Sequence, residues 1–403
     1  MSIKLLFNQC LIAGCAIATN LYNRLKKTHG DEKIVLIVFH QIFGDAIVFS
    51  NSLKGYTDLF ARRMGYKILL VARPSIIKFM RDTIFIPKDI EIEIVDFKRF
   101  LEDFSYYKII RRKYYNLADT IIVPGTSLSG EIFSVACNAK RRIGLVSSIP
   151  VKWPPIMALF QKLAYTETIW PEKDMMMLQR HRLLLNYLGL HEYKAKLPQL
   201  LPQENIVNEE RYCVICPGAS KTEKCWPIER FIEIINYLID RYSMEVHLCG
   251  GVDEVRFEEI ILNAVKNPSR VHSHIGRTTF SEWSAIVQHA GLVLGNDSAT
   301  MHLAAASGRK AICIAGVYDK FQFFPYKVDC LGIGERLPTT ILHDMPCAWC
   351  RTRGYFSGYQ NAKCKKQIEE GKCTLCIDEI TVNQVIEEID YELKELSNNE
   401  YMF

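Results

Sequence analysis

The sequence of 403 residues lacks a strong net charge, an internal repeat and a low-complexity segment. Its 50 basic and 45 acidic residues leave a formal charge of +5 at pH 7, which suits an anionic substrate or a membrane surface but does not by itself indicate nucleic acid. Hydrophobic residues at 49% and charged residues at 24% are typical of a soluble globular protein. The length fits two domains of roughly 150–200 residues each.

Long uncharged runs are scarce, and after residue 23 none could cross a bilayer. The one long run, 5-LLFNQCLIAGCAIATNLYN-23, lies in an N-terminal extension at residues 1–32. Its polar interruptions are Asn8, Gln9, Thr19 and Asn20. These interruptions, with one preceding lysine, argue against a membrane span or a signal peptide. We expect a packed amphipathic helix, with peripheral association with a membrane surface as the alternative.

Cysteine, by contrast, is abundant, with 14 residues. Several lie in apparent core strands, as Cys213, Cys216, Cys249 and Cys313 do, and others cluster near the C-terminus. Cysteines in the core of a large α/β chain indicate a reduced, cytoplasmic protein and not a disulfide scaffold.

Short apolar runs alternate with helical patterns along the chain. Strands are predicted in the first half at 33–40, 67–72, 91–97 and 119–124, with helices at 46–64 and 171–189. A proline-containing stretch at 195–206 marks a boundary, after which strands are predicted at 211–216, 244–249, 270–275, 291–295 and 310–316. Helices are predicted between them at 227–242, 253–266, 280–290 and 299–307.

This alternation predicts an α/β fold with two Rossmann-like domains, at 33–195 and 207–340. A cysteine-rich segment at 341–380 and a C-terminal helical region at 381–403 follow. We expect that last helix to fold back across the first domain. Two such domains can bind a nucleotide at the carboxyl ends of the second domain's strands and an acceptor on the first.

Polar and small residues follow each strand of the second domain, at the edge where such sheets bind ligands. Lys224 offers a positive charge, Gly250 and Gly251 allow close approach of a ribose or base, and Asp253 or Glu254 could bind ribose hydroxyls. The other candidates are Ser220, Thr278, Thr279, Asn296, Asp297, Ser298, Thr300, Met301 and His302.

The stretch 295-GNDSATMHLAAASG-308 runs from a strand into an alanine-rich helix. The free N–H groups and positive dipole at that helix start would face a phosphate. The alternative is an ordinary cap, in which Asp297 or Ser298 caps the helix and His302 packs inside.

These residues resemble those of glycosyltransferase family 9, the heptosyltransferases of GT-B fold. The resemblance covers nearly the whole chain after residue 33. It rests on Gly44-Asp45, on 217-PGAS-220 with 224-KCWP-227, and on GNDSATMHLAAA. Ala299 and Thr300 stand where the family usually has glycine and proline.

The resemblance implies two Rossmann-like domains facing a cleft and transfer of heptose from ADP-heptose, with inversion and without a catalytic metal. Asp45 matches the family's general base, which takes the proton from the acceptor hydroxyl; its alternative role is a helix cap. Asp96 and Asp119 are weaker candidates for the base. Lys224 would neutralise the leaving diphosphate.

Five cysteines cluster near the C-terminus: Cys347, Cys350, Cys364, Cys373 and Cys376. Two C-x-x-C pairs have the spacing of a tetrahedral thiolate site for zinc or a single iron. The pairing geometry favours the two C-x-x-C pairs as ligands. The family pattern favours Cys347, Cys350, Cys364 and Cys376, and both sets stay open.

A cysteine finger after such a core resembles the bacterial autotransporter heptosyltransferases. That resemblance implies one iron per chain, a large ring-like homo-oligomer, and heptose transfer to serine hydroxyls of an adhesin passenger domain in the cytoplasm. A lipopolysaccharide core heptosyltransferase is the second hypothesis. A zinc ribbon that binds nucleic acid would leave Lys224 and residues 295–308 unexplained, so no nucleic-acid partner is expected.

Overall fold

A computed structural model describes residues 11–12, 14–15, 18, 33–125, 127–146, 163–172, 174–207, 211–319, 321–348, 350 and 362–399. Most of the N-terminal extension predicted at 1–32 lies outside these residues. The chain forms two compact units: the first extends to Ala195, and the second begins at Lys196 and also includes Asp82–Ile84.

The first unit alternates strands and helices. Its strands are β1 (Ile34–Phe39), β2 (Lys67–Ala72), β3 (Ile90–Ile94), β4 (Thr120–Val123), β5 (Arg141–Leu145) and β6 (Glu167–Ile169). Its helices are α1 (Phe43–Tyr56), continued by a π-helix (Thr57–Arg63), then α2 (Pro74–Thr83), α3 (Phe97–Glu102), α4 (Phe104–Tyr114), α5 (Leu128–Cys137) and α6 (Met177–Tyr187).

The second unit repeats the alternation. Its strands are β7 (Tyr212–Cys216), β8 (Glu245–Leu248), β9 (Val271–Ser273), β10 (Leu292–Asn296), β11 (Ala311–Ile314) and β12 (Thr339–Ile341). Its helices are α7 (Ile228–Tyr242), α8 (Val255–Ala264), α9 (Phe280–His289), α10 (Ala299–Ala306), α11 (Ala362–Glu369), α12 (Leu375–Asp378) and α13 (Val382–Asn399), with 3₁₀ turns at Thr222–Lys224 and Val252–Glu254.

Both units contain a six-stranded, wholly parallel sheet. The strand orders are β3-β2-β1-β4-β5-β6 and β12-β11-β10-β7-β8-β9. The central strands β1 and β7 are buried along their whole length, which is why they read as continuous apolar runs. The predicted α/β class with two Rossmann-like sheets is therefore confirmed.

Three strands escaped the sequence patterns, namely β5, β6 and β12. The first begins with Arg141-Arg142, and the other two have only three residues each, so none gives a long apolar run. The helix predicted at 171–189 is shorter, because α6 begins only at Met177.

The C-terminal helix α13 packs within the second unit. Its buried side chains Val385, Ile389 and Leu393 belong to the same core cluster as the strands of the second sheet. The expectation that this helix folds back across the first domain stays a prediction. Within the described part of the chain, none of the helices has the length and apolar character needed to cross a membrane.

Candidate functional site

In each sheet the strand order reverses between the two central strands, which is called the switch point. These strands are β1 and β4 in the first unit and β7 and β10 in the second. Loops at the carboxyl ends of such strands diverge and leave room for a ligand. In the second unit these are the loop from Pro217 to Trp226 and the segment from Asn296 to Ser298.

Lys224 and Asp297 form an ion pair across this switch point. Lys224 Nζ lies 2.9 Å from Asp297 Oδ2, and the side chains are only 12% and 13% exposed. Lys224 ends the 3₁₀ turn after β7, and Asp297 follows β10 directly. The pair therefore holds a cation at the start of α10.

Asn296 fixes the two loops to each other. Its Oδ1 accepts a hydrogen bond from the backbone N–H of Trp226 at 2.9 Å, and its Nδ2 donates to the carbonyl of Pro217 at 2.7 Å. The side chain is fully buried. Because both ends of the amide bond the protein backbone, Asn296 positions the Lys224 loop.

Ser298 is the N-cap residue of α10, and its side chain makes no capping hydrogen bond. The Thr300 hydroxyl donates to Cys216 Sγ at 3.2 Å, and the Ser298 hydroxyl lies 3.8 Å from the same sulfur. Burial raises the pKa of Cys216 to about 12, so it stays a thiol. Met301 is buried in the core. The two hydroxyls therefore face Cys216, and the Ser298 side chain does not cap the start of the helix.

His302 points into the interior. Its Nδ1 lies 2.7 Å from the Tyr326 hydroxyl, and its ring stacks on Phe324 at 4.9 Å. Burial lowers the pKa of His302 to about 4, partly opposed by Asp297. The imidazole is therefore neutral at pH 7 and buttresses the helix from inside.

Glu254 is the acidic side chain that reaches the loops. Its Oε2 accepts a hydrogen bond from the backbone N–H of Gly251 at 2.8 Å. A Cβ atom at Gly218 would lie 1.7 Å from Glu254 Oε1, and one at Gly250 would lie 2.3 Å from Oε2. Glycine at both positions therefore leaves room for a carboxylate between the loops that follow β7 and β8. Burial raises the pKa of Glu254.

The remaining candidates occupy the surface of this edge. Asp253 and Ser220 are exposed, and Thr278 is half-buried. Thr279 caps α9, since its Oγ1 accepts a hydrogen bond from the N–H of Glu282 and donates to that residue's carboxylate. Gly276 N donates to the Gly250 carbonyl at 3.0 Å, so the turn before Thr278 runs beside the loop after β8.

In the first unit, Asp45 lies in the first turn of α1, after β1. Its Oδ2 accepts a hydrogen bond from the backbone N–H of Ile42 at 3.3 Å. Arg73, after β2, donates to the carbonyls of Gln41 and His40 at 2.5 and 3.2 Å. Burial lowers the pKa of Arg73, and the charge of Asp45 opposes that shift. Asp45 thus combines a partial capping role with a nearby cation.

The two weaker candidates for a base are placed differently. Asp96 caps α3, accepting from the N–H of Arg99 at 3.0 Å, after the outermost strand β3. Asp119 immediately precedes β4, so it lies at the amino ends of the strands, away from Asp45. Its carboxylate accepts a hydrogen bond from the Tyr66 hydroxyl at 2.7 Å. Of the three carboxylates, Asp45 lies at the carboxyl end of a central strand.

A sequence model described as glycosyltransferase family 9 (heptosyltransferase) matches residues 106–348. The chain belongs to glycosyltransferase family 9. Lipopolysaccharide heptosyltransferase 3 of Escherichia coli K12 is 31% identical over 137 residues, which are 32% of this chain and 39% of that protein. The match therefore spans well under half of that relative's length.

Solved structures support the fold of this family 9 chain. The ADP-heptose lipopolysaccharide heptosyltransferase II of E. coli aligns with a TM-score of 0.62 at 18% identity, over 90% of this chain and 99% of that one. The iron-containing dodecameric glycosyltransferase TibC of enterotoxigenic E. coli aligns with 0.54 at 12% identity, over 92% and 78%. At such identities the likeness shows a shared fold.

Four of the five clustered cysteines of this family 9 chain line one cavity. They are Cys347, Cys350, Cys364 and Cys376, with Val317, Tyr318, Met345, Thr374 and Leu375 between them. Cys373 is buried but is not among the lining residues. In the part of the chain that the structure describes, no three His, Cys, Asp or Glu side chains are arranged to hold a metal ion. The thiols share a space without forming a tetrahedral site.

The cysteine segment is bonded to the loop that carries Lys224. The N–H of Thr374 donates to the Glu223 carbonyl at 3.0 Å, and Trp226 Nε1 donates to the Ile380 carbonyl at 2.9 Å. Sequence patterns did not predict this contact, because it joins positions about 150 residues apart. Through these hydrogen bonds, the conformation of the cysteine segment affects the position of the loop that carries Lys224.

Proposed function

We propose that this protein is an inverting glycosyltransferase that moves heptose from ADP-heptose to a hydroxyl acceptor. The observation that carries the proposal is the Lys224–Asp297 ion pair at the start of α10, on the switch point of a family 9 sheet. A cation beside free helix N–H groups suits a diphosphate whose negative charge grows as the sugar leaves.

Different residues of the second unit would bind different parts of the donor. Lys224 and the backbone N–H groups at Ser298 would hold the diphosphate. The Glu254 carboxylate, between Gly218 and Gly250, would accept hydrogen bonds from ribose hydroxyls. Asn296, Met301 and the His302 ring act from inside, by fixing the loop and the helix.

Asp45 would serve as the general base. An inverting transfer needs a carboxylate that removes the acceptor proton while the acceptor oxygen attacks the anomeric carbon. Arg73, whose charge interacts with that of Asp45, also fixes the carbonyls of the loop before α1.

For the acceptor we favour a lipopolysaccharide core sugar, because the sequence relative at 31% identity is named a lipopolysaccharide heptosyltransferase. This reverses the order of the two hypotheses drawn from sequence alone. The cysteine cavity favours the second candidate, serine hydroxyls of an autotransporter passenger domain, because TibC, whose fold aligns with this chain, is an iron-containing glycosyltransferase. A cytoplasmic location is part of either proposal.

We further propose that Cys347, Cys350, Cys364 and Cys376 bind one iron, with zinc as the alternative. Four thiols around one cavity are the right donor set for either metal, although they would have to converge further. The metal would clamp the cysteine segment and take no part in transfer. A large ring-like homo-oligomer belongs to this proposal, and native mass spectrometry tests it.

The test of function incubates the purified chain with ADP-heptose and each acceptor class. We expect ADP release and an added heptose mass on a lipopolysaccharide core acceptor. A passenger-domain fragment that gains heptose, while the core acceptor does not, would reverse the acceptor assignment. Failure to bind ADP or to release it with either acceptor would reject the proposed activity.

A further inference from the structure

The switch point of the first sheet, between β1 and β4, is lined by polar side chains. His40 and Gln41 directly follow β1 and reach towards the loop and helix that follow β4. A Cβ atom at Gly125 would lie 2.5 Å from Gln41 Nε2, and one at Gly130 would lie 3.5 Å from His40 Nδ1. Ligands of parallel α/β sheets bind at such an edge. This crevice beside Asp45 is therefore where the first unit would bind the acceptor.

Arg73 and Asp45 bind opposite ends of one peptide group beside this crevice. Arg73 Nη2 donates to the Gln41 carbonyl at 2.5 Å, and Asp45 Oδ2 accepts from the Ile42 N–H at 3.3 Å. That carbonyl and that N–H belong to the same peptide unit. These lengths place Arg73 Nη2 no more than about 8 Å from Asp45 Oδ2. One substituted sugar ring can therefore contact both side chains.

The Arg73 guanidinium has hydrogen-bond donors that the protein does not use. Of its five N–H groups, those on Nη2 donate to the carbonyls of His40 and Gln41. Nε is buried without a hydrogen-bond partner, and Nη1 is open and has no partner among the described residues. Arginine forms its strongest hydrogen bonds to carboxylate and phosphate oxygens. No carboxylate of a described residue contacts this guanidinium.

The charge of Arg73 is not neutralised within the crevice. The side chain is half-buried, and burial lowers its pKa. The Asp45 carboxylate opposes this shift from a distance. His40 supplies no counter-charge, because burial and the charge of Arg73 lower the pKa of His40 to about 4 and leave it neutral at pH 7. An oxyanion of the acceptor would supply the missing negative charge.

We propose that Arg73 determines acceptor specificity by binding a carboxylate or phosphate group of the acceptor, next to the hydroxyl that Asp45 deprotonates. Nη1 would donate to the anion, while Nη2 keeps the loop before α1 in place. An acceptor without such a group would leave the guanidinium charge without a partner. The inference rests on the proposed heptose transfer, which assigns Asp45 as the base, and adds the chemical class of the acceptor.

The test is calorimetric binding of a lipopolysaccharide core acceptor to the chain in the presence of ADP. The acceptor is used untreated, with its carboxylates converted to neutral amides, or with its phosphates removed. We expect one treatment to weaken binding by about 10- to 100-fold, as the loss of a charge-assisted hydrogen bond does, and this treatment identifies the anion. Arg73→Gln should weaken binding of the untreated acceptor by the same factor and make that treatment ineffective.

Arg81→Gln is the matched control, because Arg81 is an exposed arginine in the last turn of α2. It should bind all three forms of the acceptor as the unaltered chain does. Arg73→Lys retains the charge but not the planar fork, so it should recover part of the affinity that Arg73→Gln loses. ADP affinity should be unchanged in all three variants, and their melting temperatures check folding.

Three results would overturn the proposal. The unaltered chain could bind the three forms of the acceptor equally, or bind none of them. Arg73→Gln could lower kcat on all forms alike and keep their affinity, which would make Arg73 only a clamp of the loop before α1. Because binding is measured without transfer, an acceptor that binds through Arg73 and receives no heptose would reject the transferase proposal alone.

Discussion

Lys224 Nζ and Asp297 Oδ2, 2.9 Å apart, join the two loops that flank the switch point of the second sheet. The pair is almost buried, so removing one partner leaves a charge without compensation, at a cost of about 3 kcal/mol in unfolding free energy. A diphosphate brings negative charge to the same place. Lys224 would therefore interact with two negatively charged groups, the Asp297 carboxylate and the diphosphate of the donor.

We expect Lys224→Ala to lower kcat by roughly 100- to 1,000-fold, because the leaving diphosphate loses its cation. Steady-state kinetics and calorimetric ADP binding measure this effect. Lys221→Ala is the matched control, since Lys221 is an exposed lysine of the same loop. Equal losses in both variants would mean that general positive charge, and not the Lys224 position, matters.

Asp45→Asn is expected to lower kcat by roughly 100- to 10,000-fold with unchanged ADP affinity, because the amide cannot take the acceptor proton. The carbonyl oxygen of asparagine can still accept from Ile42 N–H, so the helix start is preserved. Asp58→Asn, further along the same helical segment and paired with Arg62, serves as control. A loss of melting temperature that accounts for the lost activity would instead assign Asp45 to capping.

Glu254→Gln is expected to weaken ADP binding about tenfold, because a charged acceptor of ribose hydroxyls is lost. Glutamine has the same shape and can still accept from Gly251 N–H. Asp253→Asn, at the exposed neighbouring position, should leave ADP affinity unchanged. Isothermal titration calorimetry measures the ADP affinity of both variants. Weaker binding by Asp253→Asn than by Glu254→Gln would instead indicate Asp253 as the ribose ligand.

Sequence patterns predicted nine of the twelve described strands, the switch-point motif and the Lys224 loop, because buried parallel strands and glycine-containing polar turns leave a clear local signal. They did not distinguish Asp253 from Glu254, since the 3₁₀ turn at Val252–Glu254 decides which carboxylate turns inward. They also left His302 undecided. Its role depends on Phe324 and Tyr326, which are distant in sequence and close only after folding.

His302 is predicted to make the fold sensitive to acid. Its pKa in the folded chain is about 4, below the ordinary 6.5, so the unfolded chain binds the proton more readily between these values. The free energy of unfolding is therefore unaffected by this group above pH 6.5. It falls as the pH drops from 6.5 towards 4, by about 3 kcal/mol for His302.

His302→Gln should therefore flatten the fall of melting temperature between pH 6.5 and 4 and leave ADP affinity unchanged. His289→Gln, at an exposed position of α9, is the control and should keep the slope of the unaltered chain. Thermal melts across that pH range give the measurement. A marked loss of ADP affinity in His302→Gln would instead indicate contact with the donor.

The choice between the two sets of four cysteines can be settled with one pair of variants. Cys364 lines the shared cavity and Cys373 does not, although both are buried. We expect Cys364→Ser to lose most of the bound iron or zinc, measured by elemental analysis of the purified chain, and Cys373→Ser to retain it.

Metal loss should also reduce transfer, because Thr374 N–H holds the Glu223 carbonyl next to Lys224. Loosening that contact would displace the cation by a small distance, so we expect a lower kcat in Cys364→Ser than in Cys373→Ser. If Cys373→Ser loses the metal and Cys364→Ser keeps it, the ligands are the two C-x-x-C pairs. A chain that purifies without metal in both backgrounds leaves the cysteines as a buried thiol cluster and removes the metal from the proposal.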